Sequence, residues 1–263
     1  MTQSQLSNIR SQFERYVNPF AAAGGGLHPL LQLKLEHSER VATEARELSS
    51  DLGWTLSEQT LADAIGLLHD VGRFSQFAEY GTLSDGASVD HGERGAAVVE
   101  QAGWLAALPA EDREAILESV RYHNRLTIPT HIHDRSLALL RLVRDADKLD
   151  IFRVVLDAVE RDGFRDLPAM LPHVTLDRHP SPAFVEHLSD RRYASLSNVN
   201  TLADFLLMQV SWAYDLNYLP TLKRFHDRRI LLSILKHLDG DARIHALGRE
   251  VHCYVLNRVG RTV

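Results

Sequence analysis

The chain has 263 residues, 44% of them hydrophobic, and 29 Lys+Arg against 35 Asp+Glu give a net charge of -6. That length suits one large domain or a core with an appendage, and an acidic chain with no basic run argues against binding a nucleic-acid backbone. The single cysteine, Cys253, excludes an internal disulfide; no apolar run approaches the roughly 20 residues of a membrane span; and the polar start MTQSQLSNIR lacks a signal peptide's apolar stretch. The expectation is a cytoplasmic protein with no membrane and no nucleic-acid partner.

In chain order the sequence reads as all-α, with 3.6-residue periodicity and no period-2 strands. A first helix is predicted over 3–17, then a flexible AAAGGG break at 21–26. A second covers 28–51, with Leu30, Leu33, His37, Val41, Leu48 and Leu52 on one side and Gly53 as C-cap. Ser57 is the expected N-cap of a third, which carries Leu61, Ala62, Ile65 and Leu68, runs through Asp70 and stops at Gly72. Residues 71–90 read as a loop of about 20 residues, a length that inside a compact domain usually carries function. Helices follow at 91–107, 110–123 and 134–161. After 162, Pro168, Pro172, Pro180 and Pro182 mark an irregular connector. Helical patterns resume at 183–192, 199–216, 221–237 and 241–258. The expected organisation is an N-terminal helix and Gly-rich break (1–25), a helical core (26–161), and a helical extension packed on that core (162–263).

The chemistry lies on the apolar faces. Asp147 falls in the middle of a stripe formed by Leu140, Val143, Ile151 and Val154, where an unpaired carboxylate costs several kcal/mol. Its neighbours Asp145, Lys148 and Asp150 can stay in solvent. Asp147 therefore needs a partner, either a buried cation or a metal. His37 stands four residues from both Leu33 and Val41; alone, it suits a satisfied core histidine as well as a ligand. His69-Asp70 ends one helix, His91 opens another, and His123 closes a third. Such groups recurring once per helix can converge on one inward point of a bundle. Neutral imidazole and carboxylate suit divalent or iron centres.

The ordered set His37, His69-Asp70, His91, His123, Asp147 resembles the HD-domain superfamily of metal-dependent phosphohydrolases. The likeness covers about residues 30–160 and includes the strings EHSERVA, LLHDVGRF, DHGERGA, YHN and RDADKLD. It implies an all-helical HD-domain bundle, here with additional C-terminal helices, in which His37, His69, Asp70 and Asp147 hold one metal. The added His91 and His123 resemble the two-metal branch, with Asp70 as bridge. The HD-GYP cyclic-di-GMP phosphodiesterases share those histidines, but this chain lacks a GYP string and has Asn124 where they carry a second histidine. The stringent-response hydrolases place an acidic pair after His-Asp, where this chain has Val71-Gly72-Arg73.

The implied cofactor is one or two divalent ions, with manganese, magnesium, iron, nickel and zinc all compatible. The implied partner is a small phosphorylated substrate, with nucleotides included. Arg73, Lys148 and Arg125 are the candidate phosphate-binding cations, with Asp70, Arg73 and Lys148 at the chemical step. Phe74, Phe77 and Tyr80 are expected to anchor the 71–90 segment, and Trp212 and Tyr214 to pack normally. Two other functions fit the same residues. Myo-inositol oxygenase and its relatives use this ligand order for a diiron centre. A non-catalytic nucleotide-binding module would bind metal and ligand without turnover.

Overall fold

A computed structural model describes residues 1–22, 24–171, 173–191, 196–238 and 242–260. The described residues are helical, and an isolated parallel bridge between Thr175 and Thr201 is their one β feature. The chain divides into two compact units, Met1–Asp150 and Ile151–Val263.

The first unit begins with α1 (Gln3–Val17), opened by a Thr2–Gln5 capping box and buried along Leu6, Ile9, Phe13 and Val17. Helix α2 (Pro29–Asp51) follows with Pro at its start and packs along α3 (Leu56–Leu68). The two axes approach closely because Gly66 lacks a side chain: a Cβ there would lie 2.7 Å from the Ala42 Cα. Thr55 caps α3 through a capping box with Glu58, two residues ahead of the predicted Ser57. Every α3 residue from Thr60 to Leu68 is buried.

The expected 71–90 loop is largely helix. Helix α4 (Gly72–Tyr80) occupies its first half and ends at Gly81, which adopts the left-handed conformation (φ 66°). The amphipathic spacing of Phe74 and Phe77 made this helix possible. Phe74 is fully buried against Phe13 (ring centroids 5.9 Å), Tyr16 and Phe20, and so anchors the segment. Phe77 meets the His28 ring, whereas Tyr80 is exposed. Helix α5 (His91–Gln101) is shorter than predicted, because the chain turns at Gly103 (φ 67°). Helix α6 (Ala110–Tyr122) and the long α7 (Asp134–Asp162) follow.

Asp145, Lys148 and Asp150 on α7 are buried, contrary to the solvent-facing placement expected from one stripe. Between Leu139 and Asp150 only Arg141 is exposed, so this stretch is enclosed on all sides rather than along one face.

The second unit contains the rest of α7, a short α8 (Leu167–Met170), α9 (Pro182–Arg191), α10 (Leu202–Ser211), α11 (Leu219–Asp227), α12 (Ile230–Lys236) and α13 (Ala242–Val259). Helix α10 is buried at every position. Thr201 caps it, and Asp204 accepts hydrogen bonds from Ser181, Asn200 and Thr201. Arg229 in the left-handed region (φ 54°) separates α11 from α12, where one helix was predicted. Phe152 packs against Trp212 and Phe225 (centroids 5.6 and 5.3 Å).

Candidate metal centre

Five helices of the first unit each deliver a donor. His37 stands mid-way along α2, His69 is the C-cap of α3, and Asp70 lies in the tight turn into α4. His91 is the first residue of α5, His123 the C-cap of α6, and Asp147 sits within α7. Two glycines let these backbones meet. A Cβ on Gly72 would come within 2.2 Å of the His91 carbonyl oxygen and 2.7 Å of the Gly95 nitrogen. One on Gly92 would come within 2.6 Å of the Arg121 carbonyl oxygen. The α3–α4 turn, the α5 start and the α6 end are therefore held in backbone contact, which brings His69-Asp70, His91 and His123 together.

The donors form two clusters that share Asp70: His37, His69 and Asp70; and Asp70, His91 and His123. Asp70 Oδ2 lies 3.6 Å from both His37 Nε2 and His69 Nε2. Its other oxygen, Oδ1, lies 3.2 Å from His91 Nε2 and 3.8 Å from His123 Nε2. Asp147 Oδ1 joins the first cluster, 3.0 Å from His37 Nε2 and 3.6 Å from His69 Nε2. All six predicted ligands thus converge. His37, His69, Asp70, His91 and His123 are buried, while the Asp147 carboxylate reaches solvent.

Each imidazole is oriented from behind. His69 Nδ1 donates to the Gly66 carbonyl oxygen (2.7 Å) and His123 Nδ1 to that of Val120 (2.8 Å). His37 Nδ1 meets Asp150 Oδ2 at 2.7 Å, and His91 Nδ1 meets Asp85 Oδ2 at 2.6 Å. A carbonyl oxygen can only accept, so His69 and His123 carry their proton on Nδ1, and neutral rings present Nε2 lone pairs inward. The two Nε2 atoms of the first pair, His37 and His69, are 3.2 Å apart; those of His91 and His123 are 3.0 Å apart. Facing lone pairs at that distance repel unless a cation or a proton lies between them. The donor chemistry, the backing acceptors and the inward Nε2 set therefore fit a metal.

The electrostatics agree. Burial acts to raise the Asp70 carboxyl, but Lys34 and then His69 outweigh it and hold it well below the usual carboxylate range. Burial likewise opposes ionisation of Asp147, and the His37 and then His69 rings facing it outweigh burial and hold it low. For His123, burial is the main cause that lowers its pKa to about 4, so the ring is neutral at pH 7. Burial acts to lower His37, but its contacts with Asp147 and then Asp150 outweigh it and raise that ring. Two ionised carboxylates among imidazole donors suit a divalent ion.

The predicted cations are less uniform in placement. Arg73 Nε lies 3.4 Å from Asp70 Oδ1, but its Nη1 donates to Asp85 Oδ1 (2.7 Å), Gln76 Oε1 (3.0 Å) and the Leu83 carbonyl. Its terminal nitrogen thus pins the 81–90 segment. Arg125 is half-exposed and pairs with Asp90 (3.2 Å) and Glu93 (3.3 Å). Lys148 is buried on α7 beside Asp147.

Sequence reasoning missed four groups. Lys34 Nζ lies 2.7 Å from Asp70 Oδ2; its signal was the three-residue spacing to His37 on one helix face. Asp150 receives His37 and a bidentate Arg40 (2.6 and 2.9 Å). Asp85 gathers His91, Arg73, Gln76 and Asn124. Asn124 also donates to Asp90 Oδ1 (3.0 Å), which caps α5. Asp85 opens a single 3₁₀ turn (Asp85–Ala87) and Asn124 lies in a turn, segments too short for periodicity to reveal the side-chain direction.

No curated protein and no solved structure matches the chain. The family model of the HD domain matches residues 35–151, a span that takes in all six convergent donors. With the all-helical fold and the paired His/Asp clusters, which fit a metal-binding HD site, residues 35–151 match an HD domain.

Proposed function

We propose that this protein is a metal-dependent phosphohydrolase that cleaves a small phosphate ester, with nucleotides as the first class to test. The observation that carries the reading is the position of Asp70, which turns one oxygen toward each of two histidine pairs. Divalent ions, when bound, supply a hydroxide near neutral pH and neutralise charge on phosphoryl oxygens.

The chain's own residues set up that chemistry. His37, His69 and Asp147 would hold one ion, His91 and His123 a second, and Asp70 would span both. Asp150, Asp85 and the carbonyls of Gly66 and Val120 fix the imidazole rings, so each Nε2 keeps its inward direction without reorganisation. Burial of the rings limits bulk water around the reacting centre. The solvent-reaching edge at Asp147 and Lys34 leaves a side for substrate to approach.

The test is turnover by protein loaded with manganese, magnesium, nickel or zinc, on generic phosphomonoesters, phosphodiesters and a nucleotide panel. Asp70→Ala serves as the inactive control. Cleavage by the wild type and none by the variant is the expected result. Absence of cleavage across the whole panel would reject the reading. The four imidazoles also suit iron, so bound iron together with oxygen uptake would move the assignment to a diiron oxygenase.

A further inference from the structure

The phosphohydrolase reading requires positive charge at the substrate's phosphoryl oxygens, and two of the cations predicted for that task spend donors away from the centre, although Arg73 keeps its Nε 3.4 Å from Asp70 Oδ1. Arg73 directs Nη1 at Leu83, Asp85 and Gln76, and Arg125 faces Asp90 and Glu93. Lys34 is different in place and in partner. It sits one helical turn before His37 on α2, so its ammonium and the His37 ring rise from the same face toward the same carboxylate oxygen. Its Nζ is 2.7 Å from Asp70 Oδ2, and Asp70 is the carboxylate it meets among the described residues.

Exposure adds a second argument. Around the His37–His69 cluster, the imidazoles are sealed, while the Lys34 side chain is 16% exposed and that of Asp147 18%. A ligand reaching this cluster from solvent meets Lys34 and Asp147 on the Oδ2 side of Asp70, with Arg73, 15% exposed, on the Oδ1 side. Asp147 is anionic and would repel a phosphate, so on the Oδ2 side Lys34 is the group that attracts it. An ammonium has three donors on a flexible stem. One can remain on Asp70 while another reaches a phosphoryl oxygen beside it.

Resting on the phosphohydrolase reading, we infer that Lys34 is the substrate-binding cation of this site, contacting a non-bridging oxygen of a phosphate group held beside Asp70. The class of ligand is thus a terminal or free phosphate able to approach an ammonium at the edge of the centre.

The experiment is calorimetric titration of inorganic phosphate into manganese-loaded protein, with metal content measured on the same samples. Wild type is compared with Lys34→Ala, Lys34→Gln and Lys34→Arg. The expected result is unchanged metal content in all four and a phosphate affinity lowered about ten- to a hundredfold in Lys34→Ala and Lys34→Gln, the range for losing a charge-assisted hydrogen bond. Lys34→Arg should recover most of the affinity. Equal phosphate affinity in wild type and Lys34→Gln would overturn the assignment while leaving the phosphohydrolase reading intact. Loss of metal in both Lys34→Ala and Lys34→Gln would also overturn it, by showing that the ammonium's task is to hold Asp70. A metal-loaded wild type that binds no phosphate would overturn the assignment as well, and joined to inactivity on the substrate panel it would remove the underlying reading.

Discussion

At the scale of single residues, the site depends on what lies behind each ligand as much as on the ligands. Asp85 illustrates this. It fixes His91 through a 2.6 Å contact and is itself held ionised: burial acts to raise its carboxyl, but the His91 hydrogen bond and the nearby Arg73 drive it far down. Asp85→Ala should weaken metal binding about 10- to 100-fold, the usual cost of losing such a backing group. Competition against a metallochromic dye would measure it, and unchanged affinity would mean that His91 holds its orientation without Asp85. His123→Ala should reduce metal content selectively, because His123 belongs only to the cluster shared with His91. Elemental analysis should show partial rather than complete loss.

The six convergent donors were legible in the sequence because each is a polar residue on, or at the end of, an otherwise apolar helical face. Burial of a charge is costly, so such positions stand out. Their helpers were not. Asp150 looked like solvent-facing charge until the enclosure of α7 buried it, and Lys34 looked like any helical lysine.

At the scale of elements, the close approach at Gly72 positions the centre. Gly72→Ala would drive a Cβ into backbone atoms of α5, which cannot rotate away as a side chain can. The expected cost is about 1–3 kcal/mol from overpacking, visible as a lower urea midpoint, along with weaker metal binding as the α5 start is pushed off the α3–α4 turn. A variant with wild-type midpoint and metal affinity would show that the turn relaxes freely.

The α3 cap gives a prediction in pH. Hydrogen bonds from the Thr55 side chain and backbone hold the Glu58 carboxyl below its ordinary value. A carboxyl whose folded pKa is depressed contributes stability that is complete above its unfolded pKa and is lost as pH falls through the folded one. The stability gap between wild type and Glu58→Gln should therefore be present at about pH 6 and shrink toward about pH 3. Urea unfolding of both proteins at the two pH values would check it; a gap independent of pH would contradict the role of the charge.

Helix order and most helix spans were readable from periodicity. Helix α4 was hidden because its nine residues follow α3 after a turn of a few residues and include Gly72 and Ser75, which read as loop chemistry. The Arg229 break was hidden because an arginine in the left-handed region is rare, and nothing local announces it.

At the scale of the whole molecule, the donors tie together five helices from Pro29 to Asp162. A divalent ion that binds only the folded chain stabilises it in proportion to the logarithm of its concentration over its Kd. At about a hundredfold excess over Kd that is about 2.7 kcal/mol, and several degrees in Tm. Manganese or nickel should therefore raise the melting temperature of the wild type, a chelator should reverse the rise, and Asp70→Ala should show neither effect. A shift of equal size in Asp70→Ala would place the ion elsewhere.

The contact between His37 and Asp150 spans 113 positions of the chain. A ribosome synthesising this protein has released α2 long before α7 exists outside the exit tunnel. The first histidine therefore waits, without its backing carboxylate or Asp147, for most of the domain's synthesis. Completion of the first cluster therefore belongs to the end of translation rather than its course, and a truncated chain ending before Asp147 would carry all four donor histidines and Asp70, with the His91–His123 cluster whole, and still lack the carboxylate that completes the first.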